Sequence, residues 1–315
     1  MDLFLQRLVT IQGANALILC HDHADSDAVG AAYALAKYLD GTIGVPKRVA
    51  AHAKGLLDTL RTTIVIQPDL SNFQHVIVVD TANAAQLTDC MPAKFLLIDH
   101  HPTNTLLHAA ESALYDGTAS STSQLVYRMF KKAGIPIDRD VALALCAGIM
   151  TDTINFHKGD AEAFQTFGEL LEAAKLTYED VQSLYVVDER KDRKAIIQAA
   201  LQARHVEIEG YEILVTQIHT NIPTFAARAL FDLGADVSVV GYTNQSDIEI
   251  RMYLRHDLIE QCGLHAADIL KRVKDIDTKL VWGYSLFAGY RSQGNLDGIL
   301  QSVLDTFQEV LAERS

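Results

Sequence analysis

The chain has 315 residues, 49% of them hydrophobic, and a formal net charge of −13. That length suits about two ordinary domains with sizeable cores, which excludes a disordered chain. The acidic balance excludes the broad basic surface that holds long nucleic acid by its phosphates, yet a small anionic substrate is still accommodated where metal charge or a few arginines reverse the potential in one cleft.

In chain order, short apolar runs alternate with helical patterns up to about residue 185. ALILC precedes the helix-like DAVGAAYALAKYLDG; VIVV and FLLI follow; SSTSQLVYRMFKKAG and DRDVALALCAGIM are helical in pattern. Apolar runs of four or five residues between helices read as buried parallel strands, so residues 1–185 are expected to form an α/β domain on a parallel sheet. The stretch from Tyr178 to Arg204 lacks Pro and Gly, is charged from Asp188 to Lys194 and continues as AIIQAALQAR, which predicts a helical linker over 186–205. Beyond it, EIEGYEILVTQI predicts a strand pair with a Glu-Gly turn, TFAARALFDLGA a helix, and VSVVGYTNQSDIEIRMYLR a hairpin turning at Asn244 to Asp247. The final segment carries Leu296, Ile299, Leu300, Val303, Leu304, Phe307, Val310 and Leu311 at helical spacing. Residues 206–315 are therefore expected to form a smaller, mixed-sheet α/β domain.

No apolar stretch approaches the ~20 residues of a membrane span, and MDLFLQRLVT lacks a signal-peptide layout, so a cytoplasmic protein with no membrane partner is expected. Cys20, Cys90, Cys146 and Cys262 form no Cys-x-x-Cys pair, which points to reduced thiols rather than a disulfide framework or a zinc-thiolate site.

An acidic or histidine group closes one apolar run after another. His21, Asp25 and Asp27 follow ALILC, Asp80 follows VIVV, Asp99-His100-His101 follows FLLI, and Asp152 lies in GIMTDTINF. Ligands collect at the carboxyl ends of parallel strands, so these distant segments aim charge at one place. Converging carboxylates repel one another unless cations lie between them, and carboxylate with imidazole suits hard-to-borderline divalent metals. A metal-centred active site is expected. Taken singly, Asp25, Asp27 and Asp152 also read as helix caps, and His23, alternating with His21, as an imidazole facing away. Asp99-His100-His101 is the most specific run, because burying those groups at a strand end is costly without partners.

The ordered set resembles the DHH phosphoesterase family, named for its Asp-His-His motif. The match runs from His21 to Asp152: His-x-x-x-Asp-x-Asp as His21, Asp25 and Asp27; Asp80; Asp99-His100-His101; and Thr151-Asp152-Thr153, with ASSTSQLVYRMF resembling the family's Ser/Thr-rich helix start. The resemblance implies two divalent ions, manganese first, with magnesium or cobalt as substitutes. His21 and Asp25 would hold one, Asp27, His100 and Asp152 the other, and Asp80 would bridge them. His101 would face the substrate phosphate as a catalytic group, and Asp99 would accept a hydrogen bond from a histidine and fix its orientation.

The second domain resembles the family's associated C-terminal substrate domain of RecJ-like exonucleases and nanoRNases, with departures. The family's glycine-rich loop corresponds to Val281–Gly289, where Gly283, Ala288 and Gly289 fit but Tyr284 replaces a histidine, and Val281 and Trp282 replace small residues. Trp282 or Tyr284 there offers a base-stacking surface. In IEIRMYLRHD, Ile248, Ile250, Met252 and Leu254 alternate with Arg251, Tyr253 and Arg255; Arg255 matches the family's strand arginine, and a guanidinium binds phosphate through paired hydrogen bonds. The expected substrate-binding residues are thus His101, Arg255, His256, Gly283 and Tyr284, while His157 and Lys158 read as surface charge. The implied activity is hydrolysis of phosphodiester or phosphomonoester bonds in small nucleotides: short oligonucleotides, linear dinucleotides or 3′,5′-bisphosphates. The alternatives are a pyrophosphatase or polyphosphatase-like hydrolase of phosphoanhydrides and a nucleotide-binding regulator with weakened catalysis; a homodimer is left open.

Overall fold

The computed structural model describes residues 2–50, 53–185, 190–244, 247–263, 265–283 and 285–312. The chain divides into two compact units, Met1–Val186 and Val187–Ser315.

In the first unit α1 (Asp2–Thr10) leads into β1 (Ala16–Leu19), α2 (Ser26–Leu39), β2 (Thr42–Val45), α3 (Lys54–Leu60) and β3 (Val65–Ile66). The chain then returns through β4 (His75–Val79), β5 (Leu96–Asp99) and β6 (Ser112–Tyr115), and ends in α4 (Thr122–Ala133), α5 (Arg139–Asp152), α6 (Ala161–Ala174) and α7 (Tyr178–Gln182). All six strands pair in parallel, in the order β3-β2-β1-β4-β5-β6. The winding direction reverses between β1 and β4, which opens a crevice beyond their carboxyl ends. His21 and Asp80 stand just after those two ends.

The apolar runs are continuous because both faces of the sheet are covered. Ala16, Ile18, Ile77, Val79 and Ile98 face a large core shared with Val29, Leu35, Phe130, Cys146 and Ile149 of the helices. Leu17, Leu19, Val76, Val78 and Leu97 face a smaller one with Leu87, Phe95 and Leu106. Each such aliphatic side chain contributes about 1.5–3 kcal/mol on burial. On the larger face, α2 and α5 approach until a Cβ on Gly30 would lie 2.3 Å from the Ala144 carbonyl oxygen, so only glycine fits there.

The second unit contains α8 (Arg190–Gln202), β7 (Arg204–Ile208), β8 (Tyr211–Ile218), α9 (Pro223–Asp232), β9 (Val237–Asn244), β10 (Asp247–Leu254), α10 (His256–Cys262), α11 (Ala266–Arg272), β11 (Val281–Gly283), β12 (Phe287–Gln293) and α12 (Leu296–Ala312). Its sheet runs β11-β12-β10-β9-β8-β7 and is mixed: β8 and β9 are parallel, joined by the crossover helix α9, and the other pairs are antiparallel. The linker expected over 186–205 differs in extent. Its helix is α8, grouped with the second unit, and Arg204 and His205 already pair with Val215 and Leu214 as β7. Residues 186–189 lie outside the described residues. The Glu-Gly turn has Glu209 and Gly210 both left-handed, the backbone a two-residue hairpin needs. In the other hairpin Asn244 pairs with Asp247 around residues outside those described. All eight apolar positions of α12 are buried, in a core with Ile248, Ile250, Met252 and Leu254. Among the described residues no helix is long and apolar enough to cross a membrane, and Cys20, Cys90 and Cys146 are free and buried.

Candidate metal centre

The first two carboxylates lie where β1 hands over to α2. Asp25 caps α2, its Oδ1 accepting from the backbone N–H groups of Asp27 at 2.9 Å and Ala28 at 3.1 Å. The capping role occupies one oxygen, and the ligand atoms of His21, Asp25 and Asp80 all lie within 4.8 Å of one another. Asp27 caps a different helix from its own. Its Oδ2 accepts from Thr122 N at 2.6 Å and its Oδ1 from Ser123 N at 2.8 Å, the first turn of α4, which favours negative charge. Asp27 is fully buried, and burial followed by the charges of Asp152 and Asp80 pushes its carboxyl well above the ordinary value.

Asp80 sits at the end of β4 in a left-handed conformation, which Asp tolerates better than most residues. Its Oδ2 lies 3.7 Å from His21 Nε2, and its Oδ1 lies 3.5 Å from His100 Nε2 and 3.9 Å from His101 Nδ1. Burial alone would raise it, but these three imidazoles hold it below the usual carboxylate range. One carboxylate thus turns an oxygen to each of two imidazoles.

The imidazoles are set from behind. His21 Nδ1 donates to the Asp22 carbonyl at 2.7 Å and His100 Nδ1 to the Ala119 carbonyl at 3.1 Å; a carbonyl only accepts, so each Nε2 presents its lone pair to the carboxylates when the ring is neutral. Burial pulls both rings down, but the surrounding carboxylates prevail, taking His21 to about 9 and His100 well above its ordinary value. His101 differs. Its Nδ1 donates to Asp99 Oδ1 at 2.8 Å and its backbone N–H to Asp99 Oδ2 at 3.1 Å, and Asn104 Nδ2 donates to the same Oδ2 at 2.7 Å. Burial again lowers this ring and Asp99 with Asp80 raises it, leaving it above its ordinary value.

Asp152 is the last residue of α5, where the helix dipole opposes a negative charge, so the capping alternative fails for it. Burial, with Asp25 and Asp80 against the pull of His100, lifts its carboxyl to about 6. Immediately beyond, Ile154, Asn155 and Phe156 are all left-handed, an arrangement that a β-branched residue resists. Thr153 Oγ1 accepts from Phe156 N at 3.1 Å, and the Phe156 ring stacks on Phe164 at 4.7 Å, which holds the turn.

These residues fit two cations. Asp27, Asp80, His100 and Asp152 form one group of ligand atoms within 4.8 Å, His21, Asp25 and Asp80 a second, and Asp80, His100 and His101 a third that overlaps the first, with Asp80 common to all. His100 Nε2 supplies the local test. It is buried with Asp152 Oδ2 at 2.9 Å, Asp80 Oδ1 at 3.5 Å and Asp27 Oδ2 at 4.0 Å, yet it makes no hydrogen bond. A nitrogen so placed among three carboxylates suits a shared metal ion better than a shared proton. His23 is half-buried, left-handed and outside these groups.

Sequence reasoning passed over several contributors. Thr122 and Ser123 were visible only as a Ser/Thr-rich helix start, Asn104 and the Ala119 carbonyl carried no local signal, and Lys158, expected on the surface, is half-buried. Burial, partly countered by Asp152, lowers its ammonium to about 8. His157 is exposed.

In the second unit Arg255 is the N-cap residue of α10, its Nε 3.3 Å from Asp236 Oδ1 and its guanidinium 5.1 Å from the Phe231 ring centre. His256 is 72% exposed and faces Glu260 at 3.3 Å. Gly283 has φ +124°, and a Cβ there would lie 2.4 Å from the Phe287 carbonyl oxygen, so the glycine permits the close pairing of β11 with β12. Tyr284 lies outside the described residues. The segment read as a loop, Val281–Gly289, is mostly strand: Val281, Trp282 and Gly283 pair with Tyr290, Gly289 and Ala288. Trp282 covers Gly289, lies 4.7 Å from the Arg251 guanidinium and stays 45% exposed. Arg251 is itself buried, donating to Glu249 Oε2 at 3.0 Å and Thr224 Oγ1 at 3.2 Å, so that strand face is not a solvated one.

Comparison with known proteins places this geometry. The model of the DHH family N-terminal domain matches residues 15–149. The chain is 25% identical to an uncharacterized protein of Methanocaldococcus jannaschii over 285 residues, 85% of this chain and 84% of that one. It is also 25% identical to a probable manganese-dependent inorganic pyrophosphatase of Streptococcus thermophilus over 305 residues, 93% of this chain and 84% of that one. Among solved structures, an exopolyphosphatase-related protein from Bacteroides fragilis shares the fold with a TM-score of 0.78 at 14% identity, covering 99% of this chain and 96% of that one. The sequence match ends at the turn of α5 that carries Asp152, the last of the converging carboxylates, so residues 15–149 of the first unit match the DHH family N-terminal domain.

Proposed function

We propose that the protein is a metal-dependent hydrolase of phosphodiester or phosphomonoester bonds in small nucleotides, namely short oligonucleotides, linear dinucleotides or 3′,5′-bisphosphates. The observation that carries the reading is Asp80, whose Oδ2 faces His21 and whose Oδ1 faces His100. His21 and Asp25 would hold one divalent ion and Asp27, His100 and Asp152 the other, with Asp80 between; manganese is the first choice and magnesium or cobalt the substitutes. Two ions bound there would supply the positive charge that activates water and offsets charge on the phosphoryl oxygens. His101, held by Asp99, donates a hydrogen bond to the phosphoryl group or a proton to the leaving oxygen.

The second unit contributes substrate recognition through Arg255 and Trp282. A half-exposed indole backed by a guanidinium stacks a nucleobase, a feature pyrophosphate has no use for. The acidic chain disfavours long nucleic acid. A second reading, hydrolysis of phosphoanhydrides, draws support from the pyrophosphatase relative aligned over 93% of this chain.

Product release with manganese, measured on dinucleotides, 3′,5′-bisphosphates, oligonucleotides of about twenty residues and pyrophosphate, separates these readings. Dinucleotide or bisphosphate turnover, abolished by chelation and by Asp80→Ala but not by His23→Ala, is expected. Faster pyrophosphate hydrolysis transfers the assignment to the second reading, and tight nucleotide binding without turnover leaves a regulator.

A further inference from the structure

We infer that Thr122 is a positioning residue whose hydroxyl holds Asp80 in the orientation that shares it between two ions. A carboxylate turns about its last side-chain bond in a broad, roughly two-fold well, so nothing intrinsic to Asp80 favours bridging over chelation of one ion by both oxygens. Thr122 Oγ1 donates to Asp80 Oδ1 at 2.9 Å, on the side facing His100, and leaves Oδ2 toward His21. An ionised carboxylate only accepts, so the hydroxyl is the donor.

The same residue reaches the other carboxylate. Thr122 N donates to Asp27 Oδ2 at 2.6 Å, so one fully buried residue in the first turn of α4 fastens a ligand from the start of α2 and another from the end of β4. Its own place is fixed by Ser121, the cap of α4, whose Oγ accepts from Gln124 N at 3.0 Å. Backbone contact with Asp27 survives any substitution but proline; contact with Asp80 requires the hydroxyl. Oγ1 therefore orients Asp80, which would bridge the ions, while the backbone N–H holds Asp27, which would bind the second.

The inference rests on the two-ion reading of the site. Its test is a manganese titration of the metal-free protein, with free ion followed by electron paramagnetic resonance. The native chain is expected to take up two ions, Thr122→Val one ion tightly and the second about 10- to 100-fold more weakly, and Thr122→Ser two ions at near-native affinity. A merely structural threonine would instead weaken both ions alike and lower the melting temperature of the metal-free protein. If valine does not yield a folded chain by circular dichroism, Thr122→Ala stands in its place. Two ions at native affinity in the hydroxyl-free variant, or a serine variant as weak as valine, overturns the inference alone. A native chain that binds no manganese overturns the two-ion reading as well.

Discussion

His100 Nε2, buried, stands 2.9 Å from Asp152 Oδ2 at the edge of the site without the alignment of a hydrogen bond. The contact joins the end of β5 to the end of α5, and without a cation it must be managed by protons. That makes the metal-free protein sensitive to pH in a definite sense.

The sign follows from His21, whose folded value of about 9 lies above its ordinary 6.5. Between those values the folded chain holds more protons than the unfolded one, so this stabilisation is complete below about 6.5 and fades as pH rises toward 9. Manganese must displace the same protons, so its binding tightens with rising pH. Melting temperatures from pH 6.5 to 8 are expected to fall in chelator and to rise with excess manganese. Above pH 8, Lys158, lowered to about 8, acts in the opposite direction on the metal-free protein. Parallel curves in the two conditions would remove the imidazoles from the metal site.

Asp99 should act through His101 alone. It is fully buried and gives one oxygen to the His101 ring and the other to the His101 backbone and Asn104. Asp99→Asn removes one of the two charges that keep the ring protonated while leaving the two proposed ligand sets, neither of which uses His101, unchanged. We expect kcat to fall about 10- to 100-fold, the alkaline limb of the pH–rate profile to move to lower pH, and metal stoichiometry to stay unchanged. Loss of an ion in this variant would contradict the division of labour.

The convergence of the candidate metal groups is legible in the sequence because each candidate ligand sits at the end of an element whose own apolar pattern is strong. VIVV ends at Asp80 and FLLI at Asp99-His100-His101, so the sheet itself carries them to the carboxyl edge. Thr122 and Ser123 were legible only as a helix start: their role depends on a contact across 95 residues to Asp27, and no local rule encodes it. Trp282 falls in a loop by the resemblance to the family's glycine-rich loop, whereas here it lies in a strand, and Gly289 is small so that the indole can lie across it on the neighbouring strand. Alternation places Arg251 on the same strand face as Arg255 but cannot reveal that Glu249 and Thr224 enclose its guanidinium.

Gly148 separates packing from propensity. A Cβ there would lie 2.0 Å from Ser123 Oγ and 2.5 Å from Asp27 Oδ1, on the side chain proposed to hold the second ion. Gly148→Ala should destabilise the protein by about 1–3 kcal/mol and weaken metal binding. Gly168, in α6, has nothing within 4 Å of its missing Cβ, so Gly168→Ala should gain up to about 1 kcal/mol from helix propensity alone. Chemical denaturation of the two variants checks both signs.

Arg255 and His256 should differ sharply. Arg255 is partly engaged by Asp236 but keeps its guanidinium over Phe231, whereas His256 is largely solvated and faces only Glu260. Arg255→Ala is expected to raise KM for a dinucleotide at least tenfold, and His256→Ala to raise it less than about twofold, with metal binding unchanged in both. Equal KM values for native protein and Arg255→Ala would discard Arg255 as the anion anchor.

Trp282 gives the sharpest separation of the two substrate classes, because its effect depends on a base being present. Stacking on an exposed indole contributes about 1–3 kcal/mol per base, which corresponds to a roughly 5- to 150-fold change in affinity. Trp282→Ala should therefore raise KM for dinucleotides by a factor in that range and leave KM for pyrophosphate where it is. The indole also lies across Gly289 and beside Arg251, so a general collapse of the second unit would raise both KM values together and lower the melting temperature. Trp282→Phe keeps an aromatic face and should recover most of the dinucleotide affinity. If alanine and phenylalanine behave alike while the fold is intact, the indole packs the edge strand and holds no base.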